Sequence, residues 1–97
     1  MTLEIARIDV HADKEEDFLA GASKARPLFL AAKGCSAMSL ARSAEVRSRY
    51  WLMVEWADIA AHEAFRQTAD FAEWRRLVGA CFATAPVVEH GLAIDLG

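Results

Sequence analysis

Only two cysteines, Cys35 and Cys81, occur in the 97 residues, 46 positions apart and outside any C-x-x-C or Cys/His ligand spacing. Neither a disulfide scaffold nor a zinc site is indicated, and both thiols read as small buried hydrophobes. Positive charge is also in short supply: 11 Lys and Arg stand against 14 Asp and Glu, a net charge of −3. That balance, with no basic stripe, points away from a nucleic-acid or anionic-membrane partner; Arg42, Arg47 and Arg49 flank a turn and read as solvated. Every apolar run is too short to cross a bilayer, and the first residues enter a strand pattern without the layout of a signal peptide. A cytoplasmic location is expected. No glycine-rich phosphate loop, repeat, linker or low-complexity segment is present, so one domain over residues 1–97 is expected.

What the chain has in quantity is apolar residues, 55% of the total. For a domain this short, whose surface is proportionally large, so high a share suggests that some apolar surface meets another subunit. The clearest single stretch is Tyr50-Trp51-Leu52-Met53-Val54-Glu55-Trp56, a strand by its aromatic and β-branched content. Tyr50, Leu52, Val54 and Trp56 share one face, while Trp51 and Met53 lie on the other. A strand apolar on both faces must be covered on both.

Around it the order is legible. Leu3 to Val10 is a short strand with apolar residues on each face. Asp13 and Glu16 resemble a capping box, and Phe18, Ala22, Ala25, Phe29 and Ala32 then form a helical stripe that Pro27 should kink or restart before Gly34 ends it. Cys35 to Ala41 is a second strand, and polar residues 42–48 a hairpin loop. Asp58 caps a helix holding Ile59, His62 and Phe65; Thr68-Ala69-Asp70 breaks it; Phe71, Trp74, Val78, Cys81 and Phe82 continue as a further helix up to Pro86. Val87 to Leu96 alternates as a last strand.

The sum is β-α-β-β-α-β with the second helix broken in two: an α+β, ferredoxin-like split βαββαβ fold with a four-stranded antiparallel sheet. Two helices cover one sheet face. The other, carrying Trp51 and Met53, is expected to pack on a second copy in a homodimer.

Several spacings carry a family resemblance: Pro27 eight residues before Gly34-Cys35's cysteine, Val54-Glu55-Trp56 before Ala57-Asp58, His62-Glu63-Ala64-Phe65-Arg66, Phe71-x-x-Trp74-Arg75, and Pro86-x-Val88-Glu89-His90. Over Leu3 to about Leu96 the chain resembles the antibiotic biosynthesis monooxygenases, dimeric α+β barrels. The resemblance implies a cavity between sheet and helices, with Trp56 in the place of the family's strand-end tryptophan. It also implies Arg75 in the place of its helix arginine, His62 where cofactor-free members have a tyrosine, and Leu52 where they have an asparagine. The heme-degrading branch is not implied, because its helix tryptophan falls near Phe65 and its iron-ligating histidine near Arg75.

The residues themselves add to this. His62 lies three positions from both Ile59 and Phe65, on or beside the buried stripe, and Arg75 flanks the stripe of the last helix while Arg76 turns toward water. The expected catalytic set is therefore His62, Arg75 and Trp56, with Tyr50, Leu52, Phe65, Trp74 and His90 contacting a small apolar or aromatic metabolite. His62 would move a proton. Arg75, the Trp56 N–H and the Tyr50 hydroxyl would hold an oxyanion. A quinol or anthrone anion reduces O2 itself, so no flavin, heme or metal is required. Two alternatives stay open: an isomerase using the same groups without oxygen, and a binding or dimerising domain whose core is closed by Trp56, Phe65 and Trp74.

Overall fold

A computed structural model describes residues 1–97. Four strands, β1 (Thr2–Asp9), β2 (Cys35–Arg42), β3 (Arg49–Trp56) and β4 (Val87–Leu92), form one antiparallel sheet in the order β2-β3-β1-β4. Helices α1 (Glu15–Leu30), α2 (Ile59–Phe65) and α3 (Ala69–Val78) complete the ferredoxin-like α+β fold, the second helical segment broken as expected.

Alternation in β1 and β3 decides what each sheet face does. Thr2, Glu4, Ala6 and Ile8 of β1 and Tyr50, Leu52, Val54 and Trp56 of β3 are buried under the helices. Leu3 and Ile5, opposite Glu55 and Met53, share the other face with Trp51; no element of the chain lies over them and they remain half-buried. From above, α1 inserts Phe18, Ala22, Ala25 and Phe29, and α3 inserts Trp74 and Val78. Full burial of side chains such as Phe18, Phe29 and Trp56 stabilises by about 1.5–3 kcal/mol each.

Several boundaries differ from the sequence expectation for identifiable reasons. The capping box at Asp13 is not made: Ala12–Lys14 forms a 3-10 turn, neither it nor α1 has a side-chain cap bond, and α1 starts at Glu15. Pro27 does not interrupt α1: its missing N–H leaves one carbonyl, that of Ser23, without a helical donor, and the helix runs on to Leu30. Helix α3 stops at Val78, well before Pro86, and a 3-10 turn over Gly79–Cys81 carries the stripe on. The last strand ends at Leu92 because its partner Thr2 is the final rung of β1; Ala93 N–H still donates to the Met1 carbonyl, but Ile94 and Leu96 lie exposed beyond the ladder.

Short polar contacts set the connections that position the site. Gly34 adopts φ +86° and its carbonyl accepts from Ala57 N–H at 2.7 Å, tying the start of β2 to the end of β3. A Cβ there would lie 2.7 Å from that of Ala61, so only glycine lets α2 sit this close. Asp58 Oδ1 accepts from Ala61 N–H at 2.8 Å and starts α2; Thr68 Oγ1 accepts from Phe71 N–H at 3.2 Å and starts α3. At the outer edge, Arg26 reaches down from α1 and its Nε donates to the Met38 carbonyl of β2 at 3.0 Å, beside a bulge between Cys35 and Ala37.

Candidate active site

Helices α1 and α3 lie over the centre of the sheet and leave its β4 side open. The helix-side row of β4, Val88, His90 and Leu92, is exposed. Between that edge, α2, α3 and the 82–86 segment lies a cavity of about 640 Å³, large enough for a small polycyclic molecule. Ala6, Ile8, Leu52, Phe71, Trp74 and Phe82 give it an apolar wall; Glu4, His62, Arg66 and Arg75 supply the ionisable groups.

Glu4 is the residue the sequence reading passed over. It sits in the inward row of β1, only 5% exposed, directly across the ladder from His90. Its Oε1 accepts from the Trp56 indole N–H at 2.9 Å and lies 3.2 Å from His62 Nε2. Every buried side-chain nitrogen and oxygen has a partner, and Glu4 Oε2 has none, so that oxygen opens into the cavity. Burial pushes the Glu4 carboxyl above the usual range, against the Trp56 hydrogen bond and the charge of Arg66. The available signal was its period: in Thr2-Glu4-Ala6-Ile8-Val10 an acid occupies a row otherwise destined for the core.

His62, 5% exposed, is held flat by Trp56, whose ring stacks on it at 5.2 Å and 16°. Its Nδ1 lies 2.7 Å from His90 Nε2. Burial, then the charges of His90 and Arg66, push the His62 pKa down to about 4. The Glu4 contact is therefore that of a neutral imidazole, not an ion pair, although its distance alone would allow one. His62 Nδ1 and His90 Nε2 share one hydrogen bond whose donor is set by the tautomers, and His62 Nε2 lies against Glu4 Oε1 on its other side.

The other expected residues fall into two groups. Leu52, Trp74, Arg75 and His62 line the cavity. Trp56 is fully buried behind Glu4 and His62, its N–H already committed, and Phe65 packs on the Trp56 and Phe29 rings. Tyr50 is remote from the cavity wall: its hydroxyl donates to Glu15 Oε1 at 2.7 Å and accepts from Arg42 Nη2 at 3.4 Å. His90, expected to contact substrate, does not line the cavity; it is exposed on β4 and meets His62 instead. Arg66 lines the cavity with Arg75, and neither belongs to an ion pair. Arg76 instead grips Glu73 in solvent. The arrangement can accept a proton at Glu4 Oε2 inside an apolar chamber and offer two free guanidiniums to the anion that results.

Comparison with known proteins agrees with this architecture. The antibiotic biosynthesis monooxygenase family model matches residues 1–77. A crystal structure from Bordetella bronchiseptica that bears the same family name is 48% identical, with TM-score 0.93 and 97% of each chain covered. One from Caulobacter crescentus with that name is 26% identical at TM-score 0.77, covering 97% of this chain and 90% of its own. The uncharacterised Bacillus subtilis protein YczJ is 31% identical over 91 residues, 93% of this chain and 96% of that one. These matches support a monooxygenase-like function in general terms. By its sequence over most of its length and by its fold, the chain belongs to the antibiotic biosynthesis monooxygenase family.

Proposed function

We propose that the protein is a cofactor-independent monooxygenase acting on a small aromatic substrate of the quinol or anthrone type, with Glu4 as its base. One observation carries this: a carboxylate oxygen without a protein partner faces an apolar cavity that also holds two unpaired guanidiniums. Both His62 nitrogens are engaged within the protein, so the acceptor offered to substrate is Glu4 Oε2, and His62 with Trp56 sets its orientation and charge. A carboxyl raised by burial is a stronger base than a solvated one.

For an anthrone the steps balance without an added reductant. Glu4 takes one proton from the ring methylene, and the carbanion, its charge spread onto the ring oxygen, is held by Arg75 and Arg66. It transfers electrons to O2 and forms a C–O bond, giving a hydroperoxide once protonated. Removal of the second methylene proton breaks the O–O bond and leaves a carbonyl plus water. Trp74, Leu52 and Phe71 supply the apolar contacts for the rings. Excluding water there makes each guanidinium worth more to the anion than it would be in solution.

The exposed half of the sheet supports a homodimer. Leu3, Ile5, Trp51 and Met53 form the centre of the face away from the helices, bordered by the Asp9–Arg49 pair, and a second copy of the same face is the simplest cover. Oxygen uptake by purified protein against a panel of anthrones and quinols, with Glu4→Gln alongside, tests the chemistry. Uptake matched by ketone or quinone, and abolished in the variant, is the expected result. Exchange of the anthrone methylene protons into D2O without uptake would replace oxygenation by isomerase-type proton transfer; neither exchange nor uptake would leave a binding domain.

A further inference from the structure

With Glu4 taken as the base of the proposed reaction, a second question arises: how its charge is reset while substrate fills the cavity. Glu4 lines that cavity with its Oε2 free of any protein partner, and Oε1 lies against the Trp56 indole N–H and His62. An apolar substrate seated there cuts Oε2 off from water. Oε1, however, begins an unbroken line of short contacts: 3.2 Å to His62 Nε2, then 2.7 Å from His62 Nδ1 to His90 Nε2. The line ends at an exposed side chain on the edge strand.

We propose that His90 is the proton port of this site, connecting the buried carboxyl to solvent through His62. In one state Glu4 is a carboxylate, His62 carries its proton on Nε2 and His90 carries its own on Nε2. A proton arriving from water at His90 Nδ1 releases the Nε2 proton to His62 Nδ1, and His62 releases its Nε2 proton to Glu4. The second state has Glu4 as an acid and both histidines protonated on Nδ1. One proton has entered, one has been delivered, and each imidazole is neutral at both ends of the transfer. Reversal returns the proton to water. His62 holds this role without storing charge, consistent with burial keeping it neutral to about pH 4.

The geometry explains features that substrate contact leaves unaccounted for. Glu4 and His90 are opposite one another across the β1–β4 ladder, on the same side of the sheet, so the register itself fixes the span that His62 bridges from α2. Stacking on Trp56 holds the His62 ring with one nitrogen toward each neighbour. The charged groups facing this line are Glu4 from β1, Arg66 beyond the end of α2 and Arg75 from α3. Glu89 lies on the opposite face of the sheet, paired with Ile5. The Arg66 guanidinium disfavours an imidazolium at His62, which favours passage of a proton over its retention. His90 is therefore a positioning and relay residue, acting on Glu4 through His62 without touching the reacting atoms.

Solvent exchange of the His62 ring N–H, measured by NMR on protein with 15N-labelled histidine at pH 7, tests the relay without any substrate. His90→Gln keeps a side chain able to hydrogen-bond His62 but unable to pass a proton, and is expected to slow that exchange about tenfold or more. In His90→Ala, free imidazole should speed the exchange more than an equal concentration of phosphate does. Equal exchange in wild type and His90→Gln, or no advantage for imidazole, would overturn the relay. Anthrone-dependent oxygen uptake is recorded on the same samples. Slowed exchange with an inert anthrone keeps the relay and removes the monooxygenase reading, whereas unaltered exchange with active turnover does the reverse.

Discussion

Acid should destabilise this protein through His62 before it touches most carboxylates. The perturbation is a pH series from 7 to 4, with His62→Gln as the reference that lacks the group. Folding holds the His62 pKa at about 4, against 6.5 when solvated, so the unfolded chain binds a proton that the native state refuses throughout that interval. Stability is thus present in full above pH 6.5, lost as pH falls toward 4, and flat below. Each unit removes about 1.4 kcal/mol, so the whole interval removes about 3 kcal/mol. Glu4 acts in the opposite sense: its raised pKa makes the native state the better proton acceptor, so its contribution grows on acidification. Because Gln keeps a polar neighbour beside Glu4, most of this term is shared by the two proteins and drops out of their difference. Urea denaturation at each pH gives that difference directly. The wild-type advantage over His62→Gln should shrink by about 2–3 kcal/mol between pH 6.5 and 4. An advantage that stayed level or grew on acidification would mean that His62 is a charged partner of Glu4, and the neutral network described above would be wrong.

Trp56→Phe removes the N–H that lowers the Glu4 pKa, so a 13C titration should find that carboxyl shifted further up, and any pH-rate profile moved the same way; an unmoved titration contradicts the hydrogen bond's role. Arg75→Gln should lower anthrone turnover by roughly 10²-fold while Arg76→Gln, bound to Glu73 in solvent, changes it little; equal effects would remove Arg75 from the site. Met53→Lys with Trp51→Glu should leave the circular dichroism intact and convert a dimer to a monomer in sedimentation, and a wild-type monomer at micromolar concentration would undo the dimer proposal. Gly34→Ala forces a side chain into positive φ and toward Ala61, and should lower thermal stability by about 1–2 kcal/mol or more; an unchanged melting temperature would show that α2 can retreat at no cost.

The fold could be read from residue period because it is governed by burial over whole elements. Tyr50, Leu52, Val54 and Trp56 of β3 are buried as one row, and the Asp58 cap and the break at Thr68-Ala69-Asp70 separate α2 from α3 as drawn from the sequence. Element ends were less legible, since they depend on partners distant in the chain: β4 ends where β1 runs out, and α1 begins after a turn that its acidic residues do not cap. The site was half legible. His62 and Arg75 could be placed by helical spacing alone. Glu4 could not be separated from an ordinary surface acid until the register put it between Val54 and His90, within reach of the Trp56 indole, and Tyr50 shares the strand face of Leu52 yet ends in a different hydrogen-bond system, with Glu15 and Arg42. Strand alternation assigns a face; it does not say which neighbour a polar tip meets.

The two margins of the sheet are finished differently, and this bears on how the molecule behaves in a crowded, partly unfolded population. On the β2 margin, Arg26 occupies the Met38 carbonyl and the Cys35–Ala37 bulge spoils the regular row of donors and acceptors that an incoming strand would need. The β4 margin has no such guard: it carries no bulge in its ladder, exposes Val88 and Leu92, and continues into exposed Ile94 and Leu96. Runaway strand addition, the first step toward amyloid-like aggregates, therefore has one point of entry, and a single charged or proline replacement at Ile94 would be a more economical route to a better-behaved preparation than any change on the β2 side.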